Sequence, residues 1–198
     1  MFGNTKKSKL DEKENFSPLS IYALSKVSTF YICEYFKKVH NLKIFGAIFF
    51  NHESERRTEE YVSRKITKGV VRIFLKKQKN LYLGDISAKI DWGYARDYVI
   101  AAHKMMQIKK PDFFIIGTGK AHTIEYFVKK SFEYLGLNYK KYLKIDKKLI
   151  RKKDSKARLA NPSKIIKKLK WRRKFNFSNL AIDMLESDIN LLKNKKIV

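Results

Sequence analysis

The stretch KIFGAIFF at residues 43–50 guides the interpretation of the whole chain, because it is a short, nearly uncharged run of aliphatic and aromatic residues. Such a run is typical of a buried strand in a parallel sheet. Two further runs of this kind follow it, LYLG at residues 81–84 and DFFIIG at residues 112–117. The sequence therefore predicts a sheet that contains these three strands.

Segments with helical spacing of apolar residues lie before, between and after the strands. The first helix is predicted over residues 20–39, with Leu24, Val27 and Tyr31 on one face. Other helices are predicted at residues 59–77 and 94–108, from Thr123 as N-cap to Gly136 beyond the C-cap, from Asn161 as N-cap with Pro162 as first residue, and from Ser178 as N-cap to about Leu192. This alternation predicts an α/β fold with a mostly parallel sheet.

The composition limits the class of protein. With 198 residues, 44% of them hydrophobic, the chain is long enough for one substantial domain or two small ones. Cys33 is the one cysteine in the sequence, which excludes an internal disulfide framework. No stretch reaches the roughly 18 apolar residues of a membrane span. We expect a soluble, cytoplasmic protein with no membrane segment.

The net charge of +26 would suit a polyanionic partner such as nucleic acid. The lysines are nevertheless spread along the whole chain, which is typical of a solvated surface. No nucleic-acid-binding module is recognisable, and the aromatic residues fall at the spacing of core positions. Charge therefore does not by itself indicate a nucleic-acid-binding protein.

Tyr22 and Lys26 stand four residues apart on the first predicted helix, so both lie on one face. An ammonium beside a phenol favours the phenolate, and a phenol so tuned can take a proton from a sugar hydroxyl. The same spacing is common by chance, so a plain helix surface is the alternative interpretation.

A second candidate site is FNHESERR at residues 50–57, directly after the strand at residues 43–50. Ligands of open α/β sheets bind at the carboxyl ends of strands. Asn51, His52, Arg56 and Arg57 offer amide, imidazole and guanidinium groups that suit phosphates and sugar hydroxyls. An ordinary polar loop after a strand remains the alternative.

Other polar residues carry weaker signals. Asp91, Trp92 and Asp97 are more simply explained as structural residues, and no set of histidines with Cys33 has metal-ligand spacing. No G-x-G-x-x-G turn is present; GTGKAH at residues 117–122 comes nearest and lacks the third glycine. The residues alone therefore do not establish a dinucleotide-binding fold.

Taken together, these motifs resemble the GDP-mannose 4,6-dehydratase family of extended short-chain dehydrogenases/reductases. The resemblance covers about residues 2–189 and rests on SPLSIYALSKV (17–27), FNHESERR (50–57), YVSRKIT (61–67), LYLG (81–84), DWGYARDYV (91–99) and DFFIIGTGKAHTIEYFV (112–128). It implies an incomplete NAD(P)-binding Rossmann-type parallel sheet with a small α/β substrate-binding domain. The implied division is an irregular start (1–15), Rossmann and interleaved substrate-binding segments (16–115), and a mainly substrate-binding part with the C-terminal helices (116–198).

The resemblance also implies a reaction and roles for single residues. GDP-mannose would become GDP-4-keto-6-deoxymannose, a precursor of GDP-fucose, with tightly bound NADP as cofactor. Tyr22 would take the hydroxyl proton, and Lys26 would hold the cofactor ribose and tune Tyr22. The remaining implied contacts are His52 and Arg57 with the cofactor, and Asn51, Lys65, Arg151 and Asp154 with the GDP-sugar. Family members form dimers and tetramers, so we expect a homo-oligomer for a full-length chain.

The sequence departs from the family pattern in three places. The nucleotide-binding half and the active-site glutamate of the family would precede Phe2. Ile90 replaces an arginine that is expected to contact the nucleotide, and LKWRR at residues 169–173 lacks a glycine and a proline of the family motif. We therefore expect a truncated, split or late-started chain, with an inactive sugar-nucleotide-binding or oligomerising relative as the alternative. A sheet without its first strands would expose an apolar edge, so the chain alone is expected to aggregate or to need a complementary fragment.

Overall fold

The computed structural model describes residues 1–3, 5, 7–150 and 158–194. Its helices are α1 (Ile21–Val39), α2 (Val62–Phe74), α3 (Ala95–Met106), α4 (Ile124–Tyr134), α5 (Tyr139–Tyr142), α6 (Ser163–Leu169) and α7 (Phe177–Asn194). Its strands are β1 (Lys9–Leu10), β2 (Gly46–Phe49), β3 (His52–Glu53), β4 (Leu81–Leu83), β5 (Lys89–Ile90), β6 (Gly93–Tyr94), β7 (Phe113–Ile116), β8 (His122–Thr123), β9 (Leu143–Ile145) and β10 (Leu159–Ala160).

Within the described residues the strands form pairs, and all but one pair are parallel. The parallel pairs are β1 with β10, β2 with β7, β3 with β6 and β4 with β9. The pair β5–β8 is antiparallel. Parallel partners need long crossovers, and α2 and α3 lie in the connection from β2 to β7. The predicted α/β fold with mostly parallel strands is confirmed. The prediction that the three apolar runs share one sheet is wrong for the described residues, because β2 pairs with β7 whereas β4 pairs with β9.

The run at residues 43–50 forms a shorter and less buried strand than the sequence predicts. Only residues 46–49 pair, with Gly46 opposite Phe113 and Ile48 opposite Ile115. Ile48 is buried, whereas Phe49 is 39% exposed. The prediction of a fully buried strand is wrong here because β2 has β7 on one edge and no described strand on the other.

The largest hydrophobic core lies where α2, α4 and α7 pack together. The apolar residues of α2 recur at three- and four-residue spacing, so Ile66, Val70 and Ile73 all point into this core. Phe127 and Phe132 of α4 meet them there. This rigid helical layer supports the loop that follows β2.

A buried ion pair joins two helices of that core. Arg64 of α2 lies 2.5 Å from the carboxylate of Asp188 on α7, and the two side chains are 3% and 0% exposed. Burial raises the pKa of Asp188, and Thr67 and Arg64 oppose that rise. Removing either partner would leave an uncompensated buried charge, so the pair fixes how the helices meet.

The helix ends confirm two sequence predictions and correct two. Thr123 caps α4 by accepting a hydrogen bond from the Tyr126 amide, and Gly136 follows its C-cap with a φ of +68°. The helix predicted to begin at Pro162 begins at Ser163, which donates to the Asn161 side chain. The cap predicted at Ser178 is Asn176, because its side chain accepts from the Asn179 amide while Phe177 enters the aromatic core.

The first helix leaves an apolar face uncovered within the described chain. Val27 is the buried residue among the 19 of α1. We call the exposed apolar residues of this helix the α1 face: Ile21, Tyr22, Leu24, Tyr31, Ile32, Tyr35, Phe36 and Val39. Contiguous exposed apolar surface of this kind marks an interaction site or an aggregation hazard.

We predict that the 198-residue chain self-associates through the α1 face. Its net charge of +26 opposes association at low ionic strength. Association should therefore increase between about 20 mM and 300 mM salt, as screening shortens the range of the repulsion. Light scattering coupled to size-exclusion chromatography measures this change.

The double substitution Ile32→Glu and Tyr35→Glu should restore a monomer. The matched control, Val99→Glu with Met106→Glu, changes two exposed apolar residues of α3 and should leave association unchanged. A monomeric unsubstituted chain with a cooperative thermal transition at high salt would contradict the prediction.

Candidate functional site

The loop after β2 is built on a short parallel pairing. Its residues 51–57, here the 51–57 loop, begin with Asn51, whose carbonyl accepts a hydrogen bond from the Gly93 amide at 2.9 Å. His52 then lies opposite Gly93 in the β3–β6 pair. A side chain at Gly93 would stand 2.2 Å from the Tyr98 ring, so glycine is required for this approach. The loop is thus held against the start of α3.

His52 is held in one orientation by its neighbours. Its Nδ1 lies 2.9 Å from the Phe50 carbonyl, and its ring packs against Phe49 and Tyr98 at centroid distances of 5.2 Å. A ring nitrogen bonded to a carbonyl carries the proton, which leaves Nε2 as the acceptor. The Tyr98 hydroxyl donates to the Asn51 carbonyl, and burial raises the pKa of Tyr98 far above its ordinary value.

Arg57 is held by a carboxylate and an aromatic ring. Its Nε lies 3.2 Å from Oε2 of Glu53, and its guanidinium carbon lies 3.6 Å from the centroid of the Tyr61 ring. Glu53 is itself buried and accepts a hydrogen bond of 2.6 Å from the Ser63 hydroxyl. Burial raises the pKa of Glu53, while Ser63 and Arg57 favour its ionised form.

The other predicted ligand-contacting residues differ in their placement. Asn51 is exposed and lies on the same loop as His52 and Arg57, whereas Lys65 is half-buried one helical turn into α2. Arg151 and Asp154 lie outside the described residues. The structure therefore brings Asn51, His52 and Arg57 onto one loop, with Lys65 on the helix that follows.

The proposed catalytic pair lies on α1, where Tyr22 is 72% exposed. The Lys26 ammonium lies 5.3 Å from the centroid of the Tyr22 ring, so the two side chains share a helix face as the spacing predicts. No hydrogen bond, ion pair or ring contact in the described chain joins this pair to the 51–57 loop. The two side chains therefore lie next to each other, and Tyr22 is exposed to solvent.

The loop at residues 117–122, whose sequence is most similar to a phosphate-binding turn, already binds a protein carboxylate. Asp91, which is fully buried, accepts hydrogen bonds from the Thr118 and Gly119 amides at 3.0 and 2.9 Å. It also accepts from the Thr118 hydroxyl and the Ala160 amide. These amides are not available to a phosphate. The structural interpretation of Asp91 is confirmed.

Asp97 and Trp92 are structural as well. The Asp97 carboxylate accepts from the Lys174 and Phe175 amides, and its carbonyl accepts from the Trp171 indole. Trp92 is 3% exposed and belongs to the main core. Ile90, which stands where the family pattern has arginine, pairs with His122 in the β5–β8 pair.

A cleft of about 610 Å³ lies between the 51–57 loop and α7. Glu55, Asp183 and Glu186 line it together with Arg96 and Tyr94. Burial, followed by the Glu55 carboxylate, raises the pKa of Tyr94 to about 12, so its phenol remains a donor to Glu55. Three carboxylates disfavour a phosphate in this cleft, so the Arg57 side of the loop is the better place for an anion.

Two further features of the described residues concern membrane spans and metal sites. No helix in that part of the chain is long and apolar enough to cross a membrane. No group of three or more histidine, cysteine, aspartate or glutamate side chains there could hold a metal ion.

The sequence model of the family described as GDP-mannose 4,6 dehydratase matches residues 1–184. The chain belongs to this family. A relative from Arabidopsis thaliana, GDP-mannose 4,6 dehydratase 1, is 38% identical over all of this chain and 55% of its own length. GDP-mannose 4,6 dehydratase from Dictyostelium discoideum is 36% identical over 98% of this chain and 59% of its own length. The chain thus spans little more than half the length of these relatives.

Solved structures show the same fold. RMD from Pseudomonas aeruginosa, complexed with NADPH, has a TM-score of 0.84 over 91% of this chain and 60% of its own, at 15% identity. dTDP-glucose 4,6-dehydratase from Bacillus anthracis, in complex with NAD, has a TM-score of 0.80 over 98% of this chain and 59% of its own, at 19% identity. The predicted Rossmann-type fold class is confirmed.

The sequence interpretation missed the residues that hold the site in place. Glu53, Tyr61, Ser63 and Tyr98 all contact or support the residues predicted to bind ligand. The one available signal was Glu53, a carboxylate three residues after the predicted strand at residues 43–50 and four residues before an arginine. Burial of that carboxylate depends on tertiary packing, which periodicity does not report.

Asp91→Ala should strongly destabilise this dehydratase-family chain. Three amides and one hydroxyl would lose their shared acceptor in a buried site. Because bonds to a charged group are strong but not additive, we expect the free energy of unfolding to fall by about 3–5 kcal/mol. Denaturant unfolding followed by circular dichroism measures the loss.

Asp183→Ala is the matched control, because Asp183 is half-buried and accepts no hydrogen bond within the described residues. The Asp183→Ala substitution should lower the free energy of unfolding by less than about 1 kcal/mol. Equal losses in the two variants would show that Asp91 does not hold these segments together.

Proposed function

We propose that this chain takes part in GDP-mannose 4,6-dehydration, the conversion of GDP-mannose to GDP-4-keto-6-deoxymannose and water. The observation that carries the proposal is the continuous family match over residues 1–184, which includes the Tyr22–Lys26 pair, the 51–57 loop and Lys65. The fixed orientations of His52 and Arg57 support it, since both present free polar groups on the loop that follows β2.

In this reaction the sugar is oxidised at carbon 4 and later reduced at carbon 6. A bound nicotinamide cofactor supplies the hydride acceptor for the first step and the hydride donor for the last. Tyr22 takes the proton of the carbon-4 hydroxyl, and the Lys26 ammonium lies beside it on the same helix face. The ketone acidifies the proton on carbon 5, and its loss with the carbon-6 hydroxyl releases water.

The described residues fit part of a cofactor and substrate site. Arg57 has no hydrogen bond from its Nη groups to any described residue, so these groups could pair with a phosphate, while His52 presents Nε2. Asn51 and Lys65 have no described side-chain partner and would contact the GDP-sugar. The amides of residues 118 and 119 are occupied by Asp91, so a cradle for the cofactor diphosphate is not found there.

The finer assignments belong to the same proposal. We assign NADP rather than NAD on the guanidinium of Arg57, which suits an additional phosphate. The α1 face supports a homo-oligomer, and the single free Cys33 suits a cytoplasmic location. The three-part division at residues 15 and 115, and a role in GDP-fucose synthesis, are proposed on the family resemblance.

One observation favours a second candidate, a catalytically inactive relative that binds sugar nucleotides. Ile90 places an aliphatic side chain in the β5–β8 pair where the family pattern has arginine. Such a chain would keep the 51–57 loop and the α1 face and would lack turnover.

Tyr22→Phe should lower the rate of GDP-mannose conversion in the presence of NADP by about 10²–10⁴-fold, because the proton acceptor is removed. Chromatography with mass detection of the keto product measures the rate. Tyr31→Phe is the matched control, since Tyr31 is 59% exposed on the same helix, and it should keep full activity.

Full activity in Tyr22→Phe would show that another residue accepts the proton. A folded, unsubstituted chain that binds GDP-mannose without converting it would contradict turnover by this chain and would support the inactive relative.

A further inference from the structure

The interaction between Glu53 and Arg57 points to a role for a residue that no sequence motif assigned. Glu53 lies on β3 at 4% exposure, opposite Tyr94 of β6, so its backbone position is fixed by the sheet. Its Oε2 receives the Ser63 hydroxyl at 2.6 Å and faces Nε of Arg57 at 3.2 Å. One buried carboxylate oxygen thus holds both the start of α2 and the arginine of the loop.

Tyr61 completes the restraint from the opposite direction. Its ring lies against the face of the Arg57 guanidinium, with 3.6 Å from Cζ to the ring centroid. The backbone of Tyr61 is held because its amide donates to the Thr58 carbonyl and it directly precedes α2, while its side chain is 47% exposed. A guanidinium that is stacked on one face and in ion-pair contact at Nε, without a hydrogen bond there, has less rotational freedom than a free side chain.

The edge of Arg57 that carries the Nη groups remains available. No described residue accepts a hydrogen bond from those groups, and the side chain keeps 29% of its surface exposed. A planar guanidinium held in this way can receive two phosphate oxygens with little further loss of conformational freedom. Arg56 adds a second positive charge on the same loop.

We propose that Glu53 is a positioning residue for anion recognition: with Tyr61 it fixes Arg57 so that the Nη groups receive a phosphate group of a nucleotide ligand. The identity of that ligand as a nucleotide rests on the proposed function, whereas the restraint of Arg57 by Glu53 does not. Glu53 itself touches neither cofactor nor substrate in this assignment.

Glu55 offers a matched comparison two residues along the same loop. Its carboxylate contacts the Tyr94 hydroxyl at 3.3 Å and Arg96 at 3.4 Å, and it does not contact Arg57. Each glutamate therefore restrains a different arginine. General loosening of the loop would release both arginines, whereas loss of one carboxylate releases its own partner alone.

The test is the rate at which phenylglyoxal modifies each arginine of the full chain, measured by peptide mass spectrometry. Glu53→Gln should accelerate modification of Arg57 by about threefold to tenfold and leave Arg96 unchanged. Glu55→Gln should accelerate modification of Arg96 and leave the modification rate of Arg57 unchanged. Tyr61→Leu should accelerate modification of Arg57, because the stacked ring is lost. Thermal unfolding of each variant shows whether it is folded under the conditions used.

Protection by inorganic pyrophosphate, used as the anionic probe at millimolar concentration, supplies the second measurement. Arg57 should be protected at least twofold in the unsubstituted chain and in Glu55→Gln, and not in Glu53→Gln. Equal acceleration of Arg57 and Arg96 in Glu53→Gln would reduce Glu53 to a structural anchor and overturn the proposal. Absence of protection in the unsubstituted chain would also overturn it, whatever the outcome of the GDP-mannose conversion assay.

Discussion

The carboxylate of Asp91 joins three segments that lie far apart in the sequence, and the described fold depends on it. The strand pairs are only two to four residues long, so ladder hydrogen bonds alone provide little stability. Asp91 connects the segment between β5 and β6 to the loop after β7 and to β10. Asp97 likewise connects α3 to residues 171–175 by hydrogen bonds. The Arg64–Asp188 ion pair connects α2 to α7. Buried carboxylates therefore hold together segments that the short strand pairs alone would not hold.

This arrangement decides where ligand chemistry can take place. A buried carboxylate that fills the amides of residues 118 and 119 removes them as phosphate donors, although that loop is the most glycine-rich in the chain. Under the proposed function, anion recognition falls to side chains, and Arg57 offers Nη groups that donate to no described residue. The proposed catalytic pair, Tyr22 and Lys26, lies on α1, whose apolar face is uncovered in the described chain. Described residues hold the 51–57 loop in place, whereas the Tyr22–Lys26 pair is exposed on α1.

The sequence predicted the fold class, six of the described helices and three of the described strands, because hydrophobic period is a local property. The ligand contacts of the loop after β2 stay a prediction. The sequence interpretation placed the α6 and α7 caps one or two residues away, since neighbouring asparagine, serine and proline residues compete for the same role. It overstated the burial of residues 43–50, because burial depends on which strands lie on both edges. It missed Glu53 and Tyr61, because their contact with Arg57 follows from the turn of the loop around the start of α2. The Tyr22–Lys26 spacing was recovered, and its exposure was not foreseen.

We propose that the folded chain recognises a GDP-sugar through the loop after β2 and the start of α2. Calorimetric titration of the purified chain with GDP-mannose, and separately with UDP-glucose, measures this recognition. We predict saturable binding of GDP-mannose at least about tenfold tighter than UDP-glucose, a difference of about 1.4 kcal/mol. We also predict that Asn51→Ala and Lys65→Ala weaken GDP-mannose binding while the chain stays folded. Equal affinity for the two nucleotide sugars, or no binding by a folded chain, would contradict this proposal.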